Sequence, residues 1–198
     1  MSKIACIVGN RRPNSFTAKS LGVVSAALKS RGAQVTTFDG STLDLGFPGE
    51  PETEEAKRLK AEIAASDAIV FATPEYHGSF SAYAKLIIEN LGYPSVLKGK
   101  PTALLGVASG RIGAVKSLEQ LRTTCAHEGA IVLPLAVSIA GVRRAFDDQG
   151  VCIDEHAEKA LHMLADNLMS FLNDYVRPRQ ILEEMIREGQ EVPWTAST

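Results

Sequence analysis

The chain has 198 residues, 45% hydrophobic and 22% charged, with a formal net charge of −2. That fits one globular domain with core enough to need no staples, and no charge excess advertises nucleic acid or an acidic membrane. Its cysteines, Cys6, Cys125 and Cys152, spell neither a disulfide framework nor a zinc knuckle, and no apolar run approaches the ~20 residues of a membrane span.

The first strand is expected at Ile4 to Val8, with no basic-then-apolar leader before it, so a soluble cytoplasmic protein is expected. Further β-rich apolar runs are Gln34 to Phe38, Ala68 to Ala72, Thr102 to Val107 and Ala130 to Leu133. Helix-period stretches lie between and after them at Ala18 to Lys29, Glu54 to Ala65, Ala82 to Leu91, Ala114 to His127 and Glu155 to Tyr175. Strands alternating with helices imply crossover connections and a parallel sheet covered on both faces. The expected fold is therefore α/β, a three-layer sandwich around a five-stranded parallel sheet. Pro178 is expected to stop the last long helix, giving a domain over 1–176 and an extension over 177–198 that forms one short helix and then frays.

Ligands of such sheets bind beyond the carboxyl ends of the strands. After the first strand comes "GNRRPNSFT", with a glycine, two arginines and the donors Asn10, Asn14, Ser15 and Thr17, leading into a helix N-terminus. No Asp or Glu precedes Asp39, while Lys3, Arg11, Arg12, Lys19, Lys29 and Arg31 are basic. A phosphate monoester suits that loop; a plain polar turn with a Ser or Thr cap is the other reading. There is neither a G-x-G-x-x-G nor a Walker A pattern.

The third strand runs into "TPEYHGS". Pro74 pushes Thr73 to an extended conformation, and the backbone from Glu75 to Gly78 is expected to present free N–H and C=O groups to the edge of a planar heterocycle, with Tyr76 beside the ring. After the fourth strand, Gly110 and Gly113 of "ASGRIGAV" allow a further close approach of backbone to ligand. One phosphate loop and two loops suited to a flat polar ring point to FMN.

These residues carry a resemblance. "GNRRPNSFT" resembles the G-S-x-R-x-x-S-x-N loop of the NAD(P)H-dependent FMN reductase family of the flavodoxin-like superfamily, and "TPEYHGSFSAYAK" resembles its T-P-E-Y-N-x-S-x-P-G-x-L-K segment. "SGRIGA" resembles its third flavin loop. The likeness spans Ile4 to about Leu172. It implies strand order 2-1-3-4-5, FMN held without a covalent bond, and a homodimer or homotetramer. It implies hydride transfer from NADPH or NADH through FMN to a flavin, quinone or other small oxidant in a ping-pong cycle. It places Arg12, Ser15 and Thr17 on phosphate-binding positions, with Asn10 for the usual Ser and Phe16 counted with them. Pro74, Glu75, Tyr76, His77 and Gly78 fall on ring-contacting positions, and Ser109, Gly110 and Gly113 on the third loop. His77 stands where Asn is usual, Ser81 and Ala82 where Pro-Gly is common, and Tyr83 where Leu is common.

No side chain is expected to be an obligatory catalyst, because a flavin carries the chemistry. His77 either bonds the ring or steers nicotinamide, or else faces solvent or a neighbouring subunit; Arg111 meets either a nucleotide phosphate or solvent; and Glu75 is expected to tie its loop to a basic group rather than do proton chemistry. Cys6 reads as packing, and His127, His156 and His162 as structural. An apolar face at Leu86, Ile87 and Leu91 is a candidate subunit contact. The competing functions are a flavodoxin-type electron carrier, whose T-x-T-G-x-T loop is absent; a serine hydrolase at Ser109, where "GVASGR" is not G-x-S-x-G; and a receiver domain, which needs an acidic first loop.

Overall fold

The computed structural model describes residues 1–190. β1 (Lys3–Val8), β2 (Gln34–Asp39), β3 (Ala68–Tyr76), β5 (Pro101–Val107), β6 (Ile131–Val132) and β7 (Val137–Ile139) form the sheet, and β4 (Ser79–Phe80) is a short return on β3. The helices are α1 (Phe16–Ser30), α2 (Glu54–Ala65), α3 (Ala82–Glu89), α4 (Val115–His127), α5 (Glu155–Phe171) and α6 (Arg177–Arg187). The sheet runs β2-β1-β3-β5-β6, all parallel, with β7 continuing on β5 after β6. This is the flavodoxin-like order 2-1-3-4-5, the fifth strand being split.

Period-two alternation along buried strands sorts the core into two halves. Cys6, Val8, Val70, Ala72, Leu105 and Val107 face α1 and α5. Ala5, Ile7, Ile69, Phe71 and Leu104 face α2, α3 and α4. Ile7, Ile69 and Phe71 are fully buried, each side chain contributing roughly 1.5–3 kcal/mol. Helix starts are set by side chains that accept first-turn amides: Ser15 for α1, Thr53 for α2, Ser81 for α3 and Asp154 for α5.

Four expectations are corrected. The third strand does not end at Ala72; Thr73 and Pro74 still pair with Gly106 and Val107. Pro74 is tolerated there because the pairing of β3 with β1 ends at Ala72, so no ladder bond is wanted on that side. The fifth strand breaks between Val132 and Val137, where Pro134 has no N–H and Leu135 takes φ 61°. Pro178 does not stop the last helix. A π-helical segment, Leu172–Val176, leads straight into α6, and Pro178 occupies the first turn of that helix, which needs no N–H from it. Leu86, Ile87 and Leu91 are buried in this chain's own core beneath α3, so they offer no subunit contact. The fraying expected past the short helix lies outside the described residues.

Candidate active site

The first loop is pinned from below. Gly9 N–H donates to Ala72 O at 2.7 Å, and a Cβ on Gly9 would stand 2.7 Å from the Ala84 Cβ and 2.9 Å from Ala72 O. Only glycine lets β1 turn this close to α3. Asn10, 6% exposed, accepts the Arg12 N–H on Oδ1 at 3.1 Å, an Asx turn. Asn14 then takes φ 52°, and the Ser15 Oγ accepts the Ala18 N–H at 3.2 Å to start α1. The first-turn amides of α1 and their positive dipole end are thereby presented to the space above β1 and β3. In the same turn Thr17 is 1% exposed, and its Oγ1 has no hydrogen-bond partner.

The two arginines of this loop separate. Arg11 lies over the Tyr83 ring, 5.8 Å from its centroid, and the Tyr83 hydroxyl donates to Leu43 O at 2.7 Å. Burial raises the Tyr83 pKa, with Arg11 partly offsetting it. Arg12 lines the cavity described below.

The second loop is a β-hairpin. Glu75 pairs with Phe80 and Tyr76 with Ser79, and the tip residues His77 and Gly78 both have positive φ, 52° and 74°, the signature of a type I′ turn. Ser81, which stands where Pro-Gly is common in the resembled motif, joins the loops. Its hydroxyl donates to Gly9 O and accepts the Ala84 N–H, and its N–H donates to the Thr73 Oγ1 at 3.1 Å. The expected free backbone rim is corrected in part. The hairpin ladder uses groups of Glu75 and Tyr76, and Gly78 O accepts from the Gln120 Nε2 at 2.9 Å. Glu75 is corrected too. Its carboxylate accepts the Ser117 N–H at 3.1 Å, capping α4, which has no side-chain cap of its own. A helix amide satisfies it, not a basic side chain.

The third loop is sewn to the segment after β7. Gly141 N–H donates to Gly110 O at 2.9 Å and Val142 N–H to Ala108 O at 3.0 Å, and the Arg143 Nε donates to the Ser109 Oγ at 3.1 Å. Gly113, at φ 85°, sits where a Cβ would fall 2.5 Å from the Ser138 Oγ, which accepts the Ala114 N–H at 2.8 Å.

These loops enclose one cavity of about 570 Å³, within the size of small-molecule sites. Every predicted site residue lines it: Asn10, Arg12, Ser15, Phe16 and Thr17 from the first loop, Pro74 to Gly78 from the second, and Ser109, Gly110 and Gly113 from the third. Arg111 and Asn14 line it as well. Sequence reasoning missed Val142 and Arg143; the basic pair in "AGVRRAF" was the available signal. Phe16 is braced from behind by Phe146, centroids 6.2 Å apart. His77 is exposed at the hairpin tip, and Tyr76 is 44% exposed. The charged groups of the lining are Arg12, Arg111 and Arg143 against the single carboxylate of Glu75. Burial pushes the thiols of Cys6 and Cys125 up to about 12, so neither is a nucleophile.

The residues fit a flavin mononucleotide. An unpaired buried hydroxyl beside a helix N-terminus, an arginine and two amide side chains make an anion cradle, and glycine-bearing loops beyond it leave a broad slot. A doubly wound sheet with this cavity at its carboxyl edge defines a flavodoxin-like protein with a mononucleotide site. The chain belongs to the NADPH-dependent FMN reductase family, which it matches over residues 2–143. It is 32% identical to an NAD(P)H-dependent FMN reductase of Pseudomonas aeruginosa, covering 80% of this chain and 89% of that one. It is 27% identical to a 2-hydroxy-1,4-benzoquinone reductase of a Burkholderia species, covering 87% and 97%. Among solved structures it resembles the flavoenzyme NAD(P)H:acceptor oxidoreductase of Paracoccus denitrificans, with a TM-score of 0.73 at 25% identity over 88% and 99% of the two chains.

Proposed function

We propose that this chain is an oxidoreductase that takes electrons from NADPH or NADH and delivers them, by way of FMN, to a small oxidant such as a quinone, an azo dye or free flavin. The observation that carries the reading is the cradle at the start of α1, where the buried Thr17 hydroxyl lacks a partner. Membership of the reductase family favours this reading over a carrier flavodoxin. When bound, FMN supplies the two-electron relay between nucleotide and oxidant.

The chain's own residues bind and orient. The Ser15 and Thr17 hydroxyls, Asn10, Arg12 and the first amides of α1 hold the phosphate. The rigid hairpin from Pro74 to Gly78 walls the ring edge, and the amides at its tip, outside the ladder, favour negative charge there. The third loop closes the other side through Ser109, Gly110 and Gly113. Glu75 is engaged by the α4 amide, so it positions the hairpin and moves no proton. Arg111 and Arg143, at the mouth, receive the phosphates of the nucleotide. Donor and oxidant would reach the same cavity in turn.

No helix among the described residues is long and apolar enough to cross a membrane. A cytoplasmic home is part of the proposal, supported by three unpaired cysteines, as is a homodimer or homotetramer. The test is an anaerobic absorbance titration with FMN, then NADPH or NADH. Flavin bands should shift on binding and bleach with nucleotide, and a quinone should restore them. FMN binding without bleaching would leave the carrier role, and no binding would sink the site assignment.

A further inference from the structure

α6 lies beyond residue 143, where the family match ends, and it is an amphipathic helix whose apolar face is only partly covered, Leu182 and Met185 being half-buried and Ile181 and Ile186 exposed. Ile181, Leu182, Met185 and Ile186 fall at i, i+1, i+4 and i+5, which is one stripe along the helix. None of its residues is buried, and Ile181 and Ile186 are 52% and 62% exposed. Helices of this length draw their stability from packing an apolar face, not from propensity.

The charges of α6 are ordered along it, basic first and mostly acidic after. Arg177 and Arg179 stand at the start of α6, where it continues the π-helical segment before it. Glu183, Glu184 and Glu188 lie toward the C-terminal end, where the helix dipole favours cations; Arg187 is the exception. The intrahelical pair Arg179–Glu183, at 2.8 Å, also has the less favourable orientation, base before acid. Glu184 and Glu188 lie seven and eleven residues after Arg177, so all three share one border of the apolar stripe.

Against a second helix running the opposite way, the same order becomes complementary. We infer that α6 docks on the α6 of a second copy of this chain, antiparallel and about a two-fold axis. Arg177 of each copy then faces Glu184 and Glu188 of the other, and the stripes of Ile181, Leu182, Met185 and Ile186 cover one another. Such a contact is isologous, and a parallel pairing would set like charges side by side. Three helical turns make a small interface, so the association is weak unless another contact reinforces it.

The test is mass by light scattering on the full chain across a concentration series, with FMN titration as the control for folding. The wild type assembles, and I181E/I186E lowers the mass of the assembled species by half while FMN affinity is unchanged. R177E alone and E184R/E188R alone lose assembly by like-charge repulsion, and an equimolar mixture of the two regains it. The inference is overturned by a wild type that stays monomeric, by an I181E/I186E variant as heavy as wild type, or by a mixture no heavier than its separate components.

Discussion

Thr17 is where the anion cradle can be tested on both sides of the binding equilibrium. Thr17 lines the cavity, and its hydroxyl is buried and unpartnered. A buried polar group left unsatisfied costs about 1–3 kcal/mol. Thr17→Val keeps the β-branched shape and removes the hydroxyl, so the apo chain should gain about 1 kcal/mol, or roughly 2–4 °C in Tm for a chain of this size. FMN should bind more weakly, because a hydrogen bond to a charged phosphate contributes about 1.5–3 kcal/mol, or about 10- to 150-fold in affinity. Ser20 supplies the control. It is also buried with an unpartnered hydroxyl, on the same helix, and it does not line the cavity. Ser20→Ala should leave FMN affinity unchanged. Quenching of FMN fluorescence gives the affinities, and thermal unfolding of the apo chain gives the stabilities. If Thr17→Val binds FMN as wild type does, the hydroxyl does not meet the phosphate and the cradle is wrongly drawn.

Other outcomes follow from the same geometry. Gly113→Ala places a Cβ 2.5 Å from the Ser138 Oγ at φ 85°, so it should destabilise by about 2–4 kcal/mol through strain and the lost Ala114 bond; the urea midpoint reads this, and FMN binding should weaken with it. Arg143→Ala should raise KM for NADPH about tenfold or more, with a smaller change for NADH, if its guanidinium meets the additional phosphate of NADPH; an unchanged ratio of kcat/KM for the two donors would remove Arg143 from nucleotide recognition. Stability should fall in alkali, because the folded chain holds the Cys6 and Cys125 protons up to about 12 while the unfolded thiols release theirs near their ordinary pKa of about 8.5. Their contribution is complete below that unfolded pKa and is lost as pH rises from there toward 12, by about 1.4 kcal/mol per pH unit for each thiol. Denaturant titrations at stepped pH measure the slope, and Cys6→Ala should remove its share.

The sheet was legible because both faces of every long strand are covered, which turns β1, β3 and β5 into unbroken apolar runs. That three loops would meet at one cavity was legible because each carries side chains or glycines suited to a ligand next to a strand end. What escaped depended on contacts distant in sequence. Nothing local says that Arg11 rests on Tyr83 while Arg12 turns to the cavity. Glu75 reads as a seeker of cations until α4, whose Ala114 cannot cap it, brings the Ser117 amide within 3.1 Å. Arg143 was hidden by the break at Pro134 and Leu135, which concealed β7 and so the loop that follows it. Pro178 was misread because a proline at a helix start and one at a helix end look alike when the π-helical segment between α5 and α6 leaves no mark in composition. Leu86, Ile87 and Leu91 pattern as an exposed face only if the core under α3 is left out.

Backbone strain offers a line of argument independent of family likeness. Asn14, His77 and Leu135 are the non-glycine residues at positive φ among the described residues, and two of them, Asn14 and His77, line the cavity. Asparagine tolerates that region through its short polar side chain; histidine pays more for it, and Gly78 beside it completes a turn that few other pairs can form. Each such residue costs of order 1 kcal/mol or more and persists only where its surroundings over-determine it. Here the surroundings do so. The Asx turn at Asn10 and the cap at Ser15 hold Asn14, and the ladder to β4, the Gln120 bond and the Glu75 cap on α4 hold His77. A loop that served only to connect β3 to α3 would relax. This one is braced by α4, the helix that follows β5, which is the behaviour of a wall shaped before its ligand arrives.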